Sequence, residues 1–536
     1  MSIQDARRLS SAAIQADVAI VGAGAAGIAL AREFANQSIR VALIESGDFS
    51  HRHRTQFLYR GENVGRTNIS TSFSRLRRFG GSTTRWGGQC RPLDPIDFEA
   101  RPDGAASGWP IHYADLEPYY RRAQGVCKLG RYDYDPRNWH DDGDGPLPVK
   151  SDLLQTRVYQ FSHPTDFGVA YRAELEGADN IDIYLNANLV DILTAEGGAS
   201  VSGLRVATLG GREFEVRAKH YVLAGGGIEN ARLLLASTAA RKNGLGNDHD
   251  LVGRYFMDHP YLFPGYYQPA KTQFNKNFYV IESYAKTGSE QKMHAAFSLS
   301  ERVLRDEGLN GCSVYLLRRP RYKAVAAYSS AGGRGLNHLV EILRHRELPD
   351  GRIRQSFNMV GRDFGNVCRV LRDGIKGAFL ADNVLALRVA LETTPCRDSR
   401  VTLGSRKDRF GMPRVEVDWR INDTDQRGYE SLLQAMRSEF PRLGLGSLVE
   451  HGEYDDDGWS RSLIGGKHHM GTTRMAENPR DGVVDPECQV HGIDNLHIAG
   501  SSVFPTGGYA NPTLTIVALA LRLAARLKAR LGDPVA

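Results

Sequence analysis

The pattern of apolar and polar positions is clearest near the N-terminus, between residues 17 and 45. The segment 17–21 and the apolar run 41–44 each predict a buried strand. Between them, a glycine-rich loop at 22–27 leads into an apolar stretch from Ile28 that predicts a helix. Strand, tight loop, helix and strand in this order predict a nucleotide-binding βαβ unit.

The loop has the spacing G-x-G-x-x-G. Gly22 permits the tight turn, Gly24 lets the backbone approach a pyrophosphate, and Gly27 lets helix and strand pack closely. The N-terminus of the helix offers free N–H groups and the positive end of its dipole to phosphates. Glu45 ends the second strand at the spacing expected for an acid that binds a ribose hydroxyl. These features fit NAD, NADP or FAD equally well.

Further along, the periodicity predicts alternating elements. We expect a helix over 109–125, a β-rich region over 181–223 with a hairpin at Gly210-Gly211, and a second strand–glycine–helix unit over 221–235. Alternation over 401–419 predicts strands, and Asp423–Met436 predicts a helix.

Other stretches lack a clear period. Residues 1–16 predict a tail, 46–79 a long polar loop and 128–150 a loop or domain crossing. The glycines of 80–88 permit close backbone approach to a ligand. The aromatic, irregular region 256–345 is typical either of a substrate cavity or of ordinary core packing.

Length and composition narrow the class of protein. A chain of 536 residues is too long for one typical core, so we expect two or more domains. With 41% hydrophobic and 24% charged residues and a net charge of only +6, it is typical of a globular protein that has no nucleic-acid partner. A local arginine cluster is explained either by ion pairs or by contact with cofactor phosphate. Its members are Arg75, Arg77, Arg78, Arg85 and Arg91.

Six scattered cysteines form no C-x-x-C pair, so no metal site is predicted. Reduced thiols and the lack of an apolar leader in residues 1–16 favour a cytoplasmic location. No run of about 18 apolar residues occurs, so we expect no membrane span.

The C-terminal part carries candidate chemistry. The segment 467–475 reads Lys-His-His-Met-Gly-Thr-Thr-Arg-Met, and His468 beside His469 offers a base that can titrate near neutrality. Asn511 and Pro512 predict the N-cap and first position of an apolar helix reaching about Leu531. The positive end of that helix would stabilise an anionic reduced flavin in front of it.

These motifs together resemble the glucose–methanol–choline (GMC) oxidoreductase family over nearly the whole chain. The resemblance rests on the G-x-G-x-x-G loop with Glu45, the segments 80–88 and 224–235, and the C-terminal His-His-Met-Gly-Thr-Thr-Arg-Met and Ala-Asn-Pro-Thr-Leu-Thr motifs. It implies an α/β fold: a Rossmann-like FAD-binding domain and a substrate domain built on a mostly antiparallel β-sheet with helices. The expected FAD-binding parts are 17–95, 181–255 and 464–536, the last carrying the catalytic pair, and the expected substrate domain is 96–180 with 256–463.

The resemblance also implies residue roles. His468 matches the family's catalytic base and Asn511 its partner, a His/Asn pair similar to that of pyranose oxidases and other sugar and glycoside oxidoreductases. Where pyranose oxidases carry a flavin-linking His, this chain has Arg85, which implies non-covalent FAD. The expected cofactor-binding residues are Gly22, Gly24, Ala25, Ala26, Gly27, Glu45, Ser46, Arg78, Gly80, Gly81, Thr84, Trp86, Gly87, Gly88, Leu189, Val190, Ala224, Gly225, Gly500, Ser501, Pro512 and Thr513.

The sequence therefore predicts oxidation of a sugar or glycoside hydroxyl to a carbonyl, with hydride transfer to flavin N5 and oxygen or another electron acceptor. One alternative is a non-sugar alcohol: a polyol, an aliphatic or aromatic alcohol, or an aminoglycoside. A flavin-binding protein without turnover and a nicotinamide dehydrogenase are the two other classes considered. Retention of both His468 and Asn511 argues against the first, and flavin absorbance of the purified protein would argue against the second.

Overall fold

The computed structural model describes most of the chain. The residues left out of the description are 1–2, 66–70, 101–107, 140–144, 163–164, 270–275, 281–291, 318–331, 334, 337–338, 341–352, 366, 369–384, 451–457, 460–461 and 533–536. Much of the aromatic region predicted over 256–345 therefore lies outside the described residues.

The described elements alternate between strands and helices. The strands are β1 (Ile3–Asp5), β2 (Ala13–Gln15), β3 (Val18–Val21), β4 (Val41–Ile44), β5 (Glu62–Asn63), β6 (Gln89–Cys90), β7 (Leu154–Phe161), β8 (Ile181–Leu185), β9 (Asn188–Thr194), β10 (Val201–Ala207), β11 (Glu213–Arg217), β12 (His220–Leu223), β13 (Pro260–Leu262), β14 (Gly265–Pro269), β15 (Lys292–Leu299), β16 (Cys312–Leu317), β17 (Leu385–Leu391), β18 (Arg400–Lys407), β19 (Pro413–Asp418), β20 (Gly446–Glu450), β21 (Ile464–Gly465) and β22 (Leu496–Ile498). The α-helices are α1 (Ala25–Glu33), α2 (His53–Gln56), α3 (Tyr113–Val126), α4 (Phe167–Ala170), α5 (Arg172–Glu176), α6 (Gly226–Ala236), α7 (Lys276–Tyr279), α8 (Glu301–Glu307), α9 (Ile353–Arg362), α10 (Asp423–Arg442) and α11 (Thr513–Leu531).

A parallel sheet in the order β1-β8-β4-β3-β12-β22 carries the glycine-rich loop. All its pairs are parallel, and β3 and β4 are buried at every position. Continuous apolar runs are expected when helices cover both faces of a parallel sheet. Helix α11 packs against α1 and α3 beside this sheet. Across the described ranges, no helix is long and apolar enough to cross a membrane.

The second large sheet is antiparallel, in the order β20-β14-β17-β16-β15-β7-β6, with β13 pairing with β17 and β21. Helix α10 packs on strands β15, β16 and β17. Its buried apolar positions, such as Leu432, Leu433 and Met436, share one core with those strands. The predicted fold class, a Rossmann-like α/β unit with a mostly antiparallel second sheet, is confirmed.

Two smaller sheets complete the described fold. Strands β10 and β11 form the antiparallel hairpin predicted at Gly210-Gly211, and β9 and β2 flank it. Strands β18 and β19 form a second hairpin, as the alternation over 401–419 predicted, and β5 pairs with β19. Strand β12 joins β3 in parallel, so the second strand–glycine–helix unit returns to the first sheet as expected.

Two expectations from the sequence were wrong. Residues 1–16 are not a tail: β1 pairs with β8 at the edge of the parallel sheet, and β2 pairs with β11. Residues 46–79 are not all loop, since they contain α2 and β5. These elements are two to four residues long, and their partners lie far away in sequence, so no local periodicity predicts them. Helix α10 also runs six residues beyond the predicted end at Met436, to Arg442.

Candidate active site

A cavity of about 980 Å³ extends from the glycine-rich loop to the C-terminal histidines. Its walls come from stretches that are far apart in sequence, chiefly 21–89, 187–233 and 463–516. This volume is at the upper end of the range of about 300–1,000 Å³ for small-molecule and cofactor sites. The fold thus brings the N-terminal and C-terminal motifs to one site.

The glycines of the loop have different structural reasons. Gly22 has a φ of +107°. A Cβ at Gly27 would lie 1.8 Å from the carbonyl oxygen of Gly22, so these two glycines are required by the backbone and its packing. A Cβ at Gly24 would meet no atom within 4 Å. Because Gly24 also lines the cavity, its lack of a side chain leaves room for a ligand rather than for the protein.

The carboxylate of Glu45 hydrogen-bonds the backbone of this loop and of the residue after Ser46. Its Oε2 accepts a hydrogen bond from the Ala23 N–H at 2.9 Å, and its Oε1 accepts one from the Gly47 N–H at 2.7 Å. Burial raises the pKa of Glu45, and the two amide donors oppose that rise. Both oxygens therefore accept hydrogen bonds from backbone N–H groups, and Glu45, the predicted ribose ligand, also lines the cavity.

A buried ion network stands beside the cavity. Glu229 contacts Arg77 at 2.6 Å, Arg232 at 3.0 Å and Arg75 at 3.3 Å. The guanidinium carbons of Arg75 and Arg77 lie over the ring of Tyr59, 3.9 and 4.1 Å from its centroid. Burial alone would raise the pKa of Glu229, but the three arginines lower it to about 2. For this part of the arginine cluster, the expected ion pairs are present.

At the other end of the cavity, two backbone segments pair imperfectly. Met257 and Met470 exchange N–H···O bonds of 3.0 and 2.9 Å, and Pro260 pairs with Gly465. Between these pairs, two residues on one side, 258 and 259, face four on the other, 466–469. Such a bulge re-aims side chains and is common beside active sites. Here it presents His468 to the cavity.

The carboxylate of Asp258 fills the gap in this ladder. Its Oδ1 accepts the His468 N–H at 2.6 Å and the His259 N–H at 2.8 Å, and its Oδ2 accepts the Lys467 N–H at 3.0 Å. Lys467 has a φ of +68°, a left-handed conformation that is unusual for a residue with a side chain. Burial raises the pKa of Asp258 to about 7 against these three donors.

The ring of His468 has a hydrogen-bond partner at Nδ1. Its Nδ1 lies 2.9 Å from Nδ1 of His259, with the ring planes at 84°. The ring of Tyr261 meets it edge-on, at 6.2 Å between centroids. Burial, followed by the charges of His259, His469 and Arg388, places the pKa of His468 well below 6.5. This lowered pKa favours the neutral form of the His468 imidazole.

Asn511 lies at the same end of the cavity, directly before helix α11. The predicted N-cap role is wrong: Pro512 is the N-cap, and the helix begins at Thr513. The helix begins one residue later than predicted, a difference that is common at helix ends. The side-chain oxygen Oδ1 of Asn511 is buried and has no hydrogen-bond partner in the described part of the chain. The Asn511 side chain therefore does not cap helix α11, and Asn511 lines the cavity.

The structure brings most of the predicted site residues together. Those lining the cavity are Gly22, Gly24, Ala25, Ala26, Glu45, Ser46, Gly81, Trp86, Gly87, Gly88, Leu189, Ala224, Gly225, His468, Gly500, Ser501, Asn511, Pro512 and Thr513. Those outside its lining are Gly27, Arg78, Gly80, Thr84 and Val190. Gly27 and Gly80 pack against backbone instead, and Val190 follows Leu189 on a strand, where successive side chains face opposite ways.

The sequence reasoning missed Asp258 and His259. Both are fully buried, with 0% of their surface exposed. A signal was present, because an acid and a histidine stand together in an otherwise apolar and aromatic stretch, 255–263. Buried ionisable groups in a cleft are candidates for functional roles.

Comparisons with known proteins agree with this geometry. The sequence model described as GMC oxidoreductase matches residues 395–520. The 2-methyl-1,2-propanediol dehydrogenase of Mycolicibacterium austroafricanum is 25% identical, with 98% of each chain covered. The fructose dehydrogenase large subunit of Gluconobacter japonicus is 23% identical, covering 96% of this chain and 98% of its own. A formate oxidase crystal structure superimposes with a TM-score of 0.56 at 19% identity, covering 97% of this chain and 99% of its own, and shows the shared fold.

The chain is similar to GMC oxidoreductases, whose sequence model matches its residues 395–520, and it is an FAD-dependent oxidoreductase. The residues present fit that cofactor at both ends of the cavity. At one end, the space in front of Gly24 and the N-terminus of α1 suit a pyrophosphate. At the other end, the unpartnered oxygen of Asn511 and the neutral ring of His468 face the position expected for the reactive ring.

Proposed function

We propose that this protein oxidises a hydroxyl group of a sugar or glycoside to a carbonyl, with His468 as the base and Asn511 as its partner. The observation that carries the proposal is that both side chains line one cavity whose far end is the glycine-rich loop. A base and a hydrogen-bonding amide are then positioned where a bound flavin would present its reactive face. The flavin, when bound, supplies the hydride acceptor.

In this proposal His468 takes the hydroxyl proton at Nε2, the nitrogen that makes no bond to a described residue. The low pKa of His468 keeps the ring neutral, so the base is ready at ordinary pH. Asn511 donates an N–H from its amide to the substrate oxygen and fixes its position. Loss of the hydroxyl proton to His468 favours the departure of hydride from the carbon that bears this oxygen, as its C–O bond becomes a carbonyl.

Two observations support a hydroxylated substrate. The diol dehydrogenase and the fructose dehydrogenase cover nearly the whole chain, and both names describe alcohols with neighbouring hydroxyl groups. Polar side chains of Gln89, Ser356 and Lys467 also line the cavity and can hydrogen-bond several hydroxyls. The second candidate is a non-sugar polyol, which the diol dehydrogenase favours.

We further propose that FAD is held without a covalent bond, since Arg85 stands where pyranose oxidases carry a flavin-linking histidine. Arg85 lines the cavity, and an arginine forms no such link. Acid precipitation should therefore release yellow flavin into the supernatant, measured by its absorbance. Flavin that stays with the precipitate would refute a non-covalent cofactor. Six free cysteines are compatible with the proposed cytoplasmic location.

The function is tested by anaerobic bleaching of the flavin with D-glucose, D-fructose, methyl β-D-glucoside and 1,2-propanediol, followed by re-oxidation in air. We expect the sugar or glycoside to reduce the flavin fastest. His468→Ala should lower the rate of flavin reduction at least about 100-fold, as expected for loss of a general base.

His497→Ala is a matched control, because His497 is a buried histidine outside the cavity lining. A near-normal rate in His468→Ala would refute the base assignment. Preferential reduction by 1,2-propanediol would favour the polyol alternative over sugars.

A further inference from the structure

The orientation of His468 depends on a contact that the proposed mechanism does not use. The two nitrogens Nδ1 of His259 and His468 lie 2.9 Å apart, so one ring must donate a proton and the other must accept it. Which ring donates decides the tautomer of the base. If His468 donates through Nδ1–H, its Nε2 carries the lone pair and can accept a substrate proton.

The surroundings of His259 favour that arrangement. Its Nε2 is buried beside the backbone of Gly507 and Gly508 and makes no well-formed hydrogen bond to a described residue. Burial lowers the pKa of His259 to about 4, and the backbone of these glycines opposes this by favouring a proton on the ring. A neutral ring protonated at Nε2 has its lone pair on Nδ1. His259 is then an acceptor, and His468 is the donor.

The backbone around the pair leaves little freedom for another arrangement. Asp258 accepts the N–H groups of Lys467, His468 and His259, which fixes the bulge on both sides. The Gly466 N–H donates to the carbonyl oxygen of His259 at 2.8 Å. The two rings are thereby attached to two segments that these hydrogen bonds hold together.

We propose that His259 is a positioning residue that holds His468 as the Nδ1–H tautomer, with Nε2 directed to the substrate. The inference rests on the proposed role of His468 as the base. His259 is not among the residues that line the cavity. Its effect on the reaction passes through His468 alone.

The first test is a double-mutant cycle on the holoenzyme, read as the anaerobic flavin reduction rate with the fastest of D-glucose, D-fructose, methyl β-D-glucoside and 1,2-propanediol. His259→Leu removes the acceptor and should lower the rate about 10- to 100-fold, as for a misplaced catalytic group. His259→Asn should recover most of the rate, because its Oδ1 occupies the position of the histidine Nδ1. In the His468→Ala background, His259→Leu should change the rate less than about twofold, since coupled residues are non-additive.

A matched control separates positioning from general loss of packing. His497 is also a buried histidine whose ring contacts another histidine, with 3.2 Å between its Nε2 and His220 Nδ1. His497→Leu should leave the flavin reduction rate unchanged. A slow His468→Ala with a normal His259→Leu would overturn this inference and leave the proposed function intact. A near-normal His468→Ala would overturn the base assignment itself.

The second test needs no substrate and no folded His259 variant. The holoenzyme is labelled with ring-¹⁵N histidine, and the NMR signal of His468 is identified by its loss in His468→Ala. We expect the Nδ1–H tautomer in the unchanged protein. A signal from the Nε2–H tautomer would overturn the inference, since Nε2 would then have no lone pair to accept a proton.

Discussion

Replacing Gly24 with alanine is expected to weaken FAD binding without weakening the fold. Gly24 stands at the N-cap of α1 with φ −87° and ψ −163°, an extended conformation that alanine adopts freely. No heavy atom lies within 4 Å of the position its Cβ would take. The new methyl group enters only the space in front of the loop, where the pyrophosphate is expected to approach the backbone.

The size of the effect follows from these contacts. With no clash in the protein, the free energy of unfolding of the apoprotein should change by less than about 0.5 kcal/mol. With FAD bound, the methyl group occupies space needed by the cofactor, and overpacking of this kind costs about 1–3 kcal/mol. Since about 1.4 kcal/mol is a tenfold change, the FAD dissociation constant should rise about 5- to 150-fold.

The assay is a titration of apoprotein with FAD, followed by flavin fluorescence, together with urea unfolding of the apoprotein. A dissociation constant within about twofold of that of the unchanged protein would refute the reasoning about Gly24. So would an apoprotein that unfolds at clearly lower urea, because the methyl group would then be meeting protein.

Two other glycines provide controls: alanine at one should clash with the protein, and alanine at the other should meet no atom and lies away from the loop. In Gly27→Ala the Cβ would lie 1.8 Å from the Gly22 carbonyl oxygen, so the protein should fail to fold stably. Gly125 is exposed on helix α3, and its Cβ would also meet nothing within 4 Å. Gly125→Ala should stabilise the protein by about 0.5–1 kcal/mol and leave FAD binding unchanged.

Glu229→Ala should destabilise the protein by about 3–5 kcal/mol in urea unfolding, because it leaves the buried guanidinium groups of Arg75 and Arg77 without the carboxylate they share, whereas Arg232 keeps Asp408 at 2.6 Å; an effect below about 1 kcal/mol would refute the role of this network. Stability should also fall as the pH drops below about 6.5. Several buried histidines have a pKa lowered by burial, to about 3–4, so the unfolded chain binds protons that the folded chain does not. They are His259, His294, His469 and His497. Urea midpoints that stay constant between pH 7 and pH 5 would contradict this.

Strong local patterns predicted their elements well. The runs 18–21 and 41–44 are strands, the loop between them is tight, and the hairpin at Gly210-Gly211 forms as expected. Short elements without a period were missed, as at residues 3–5 and 13–15. Their strands exist because a distant edge offers backbone hydrogen bonds, and that edge is not visible in the local sequence.

In the candidate site too, residues in local sequence motifs were predicted, and residues that depend on distant contacts were missed. His468 and Asn511 were found from their motifs, whereas Asp258 and His259 were not. The side chain of Asp258 matters because it meets three backbone amides, two of them more than 200 residues away in sequence. Such a partner set is decided by chain pairing and not by spacing.

The sequence alone predicted that a dinucleotide binds at the glycine-rich loop at 22–27, because only a few residue types permit that turn and that approach. It also assigned the chemistry to the C-terminal motifs. Only the tertiary structure decided that the two ends form one cavity and that His468 is neutral within it. The physical reason is that burial and the neighbouring ring of His259 set that pKa, and both are created by the packing of distant segments.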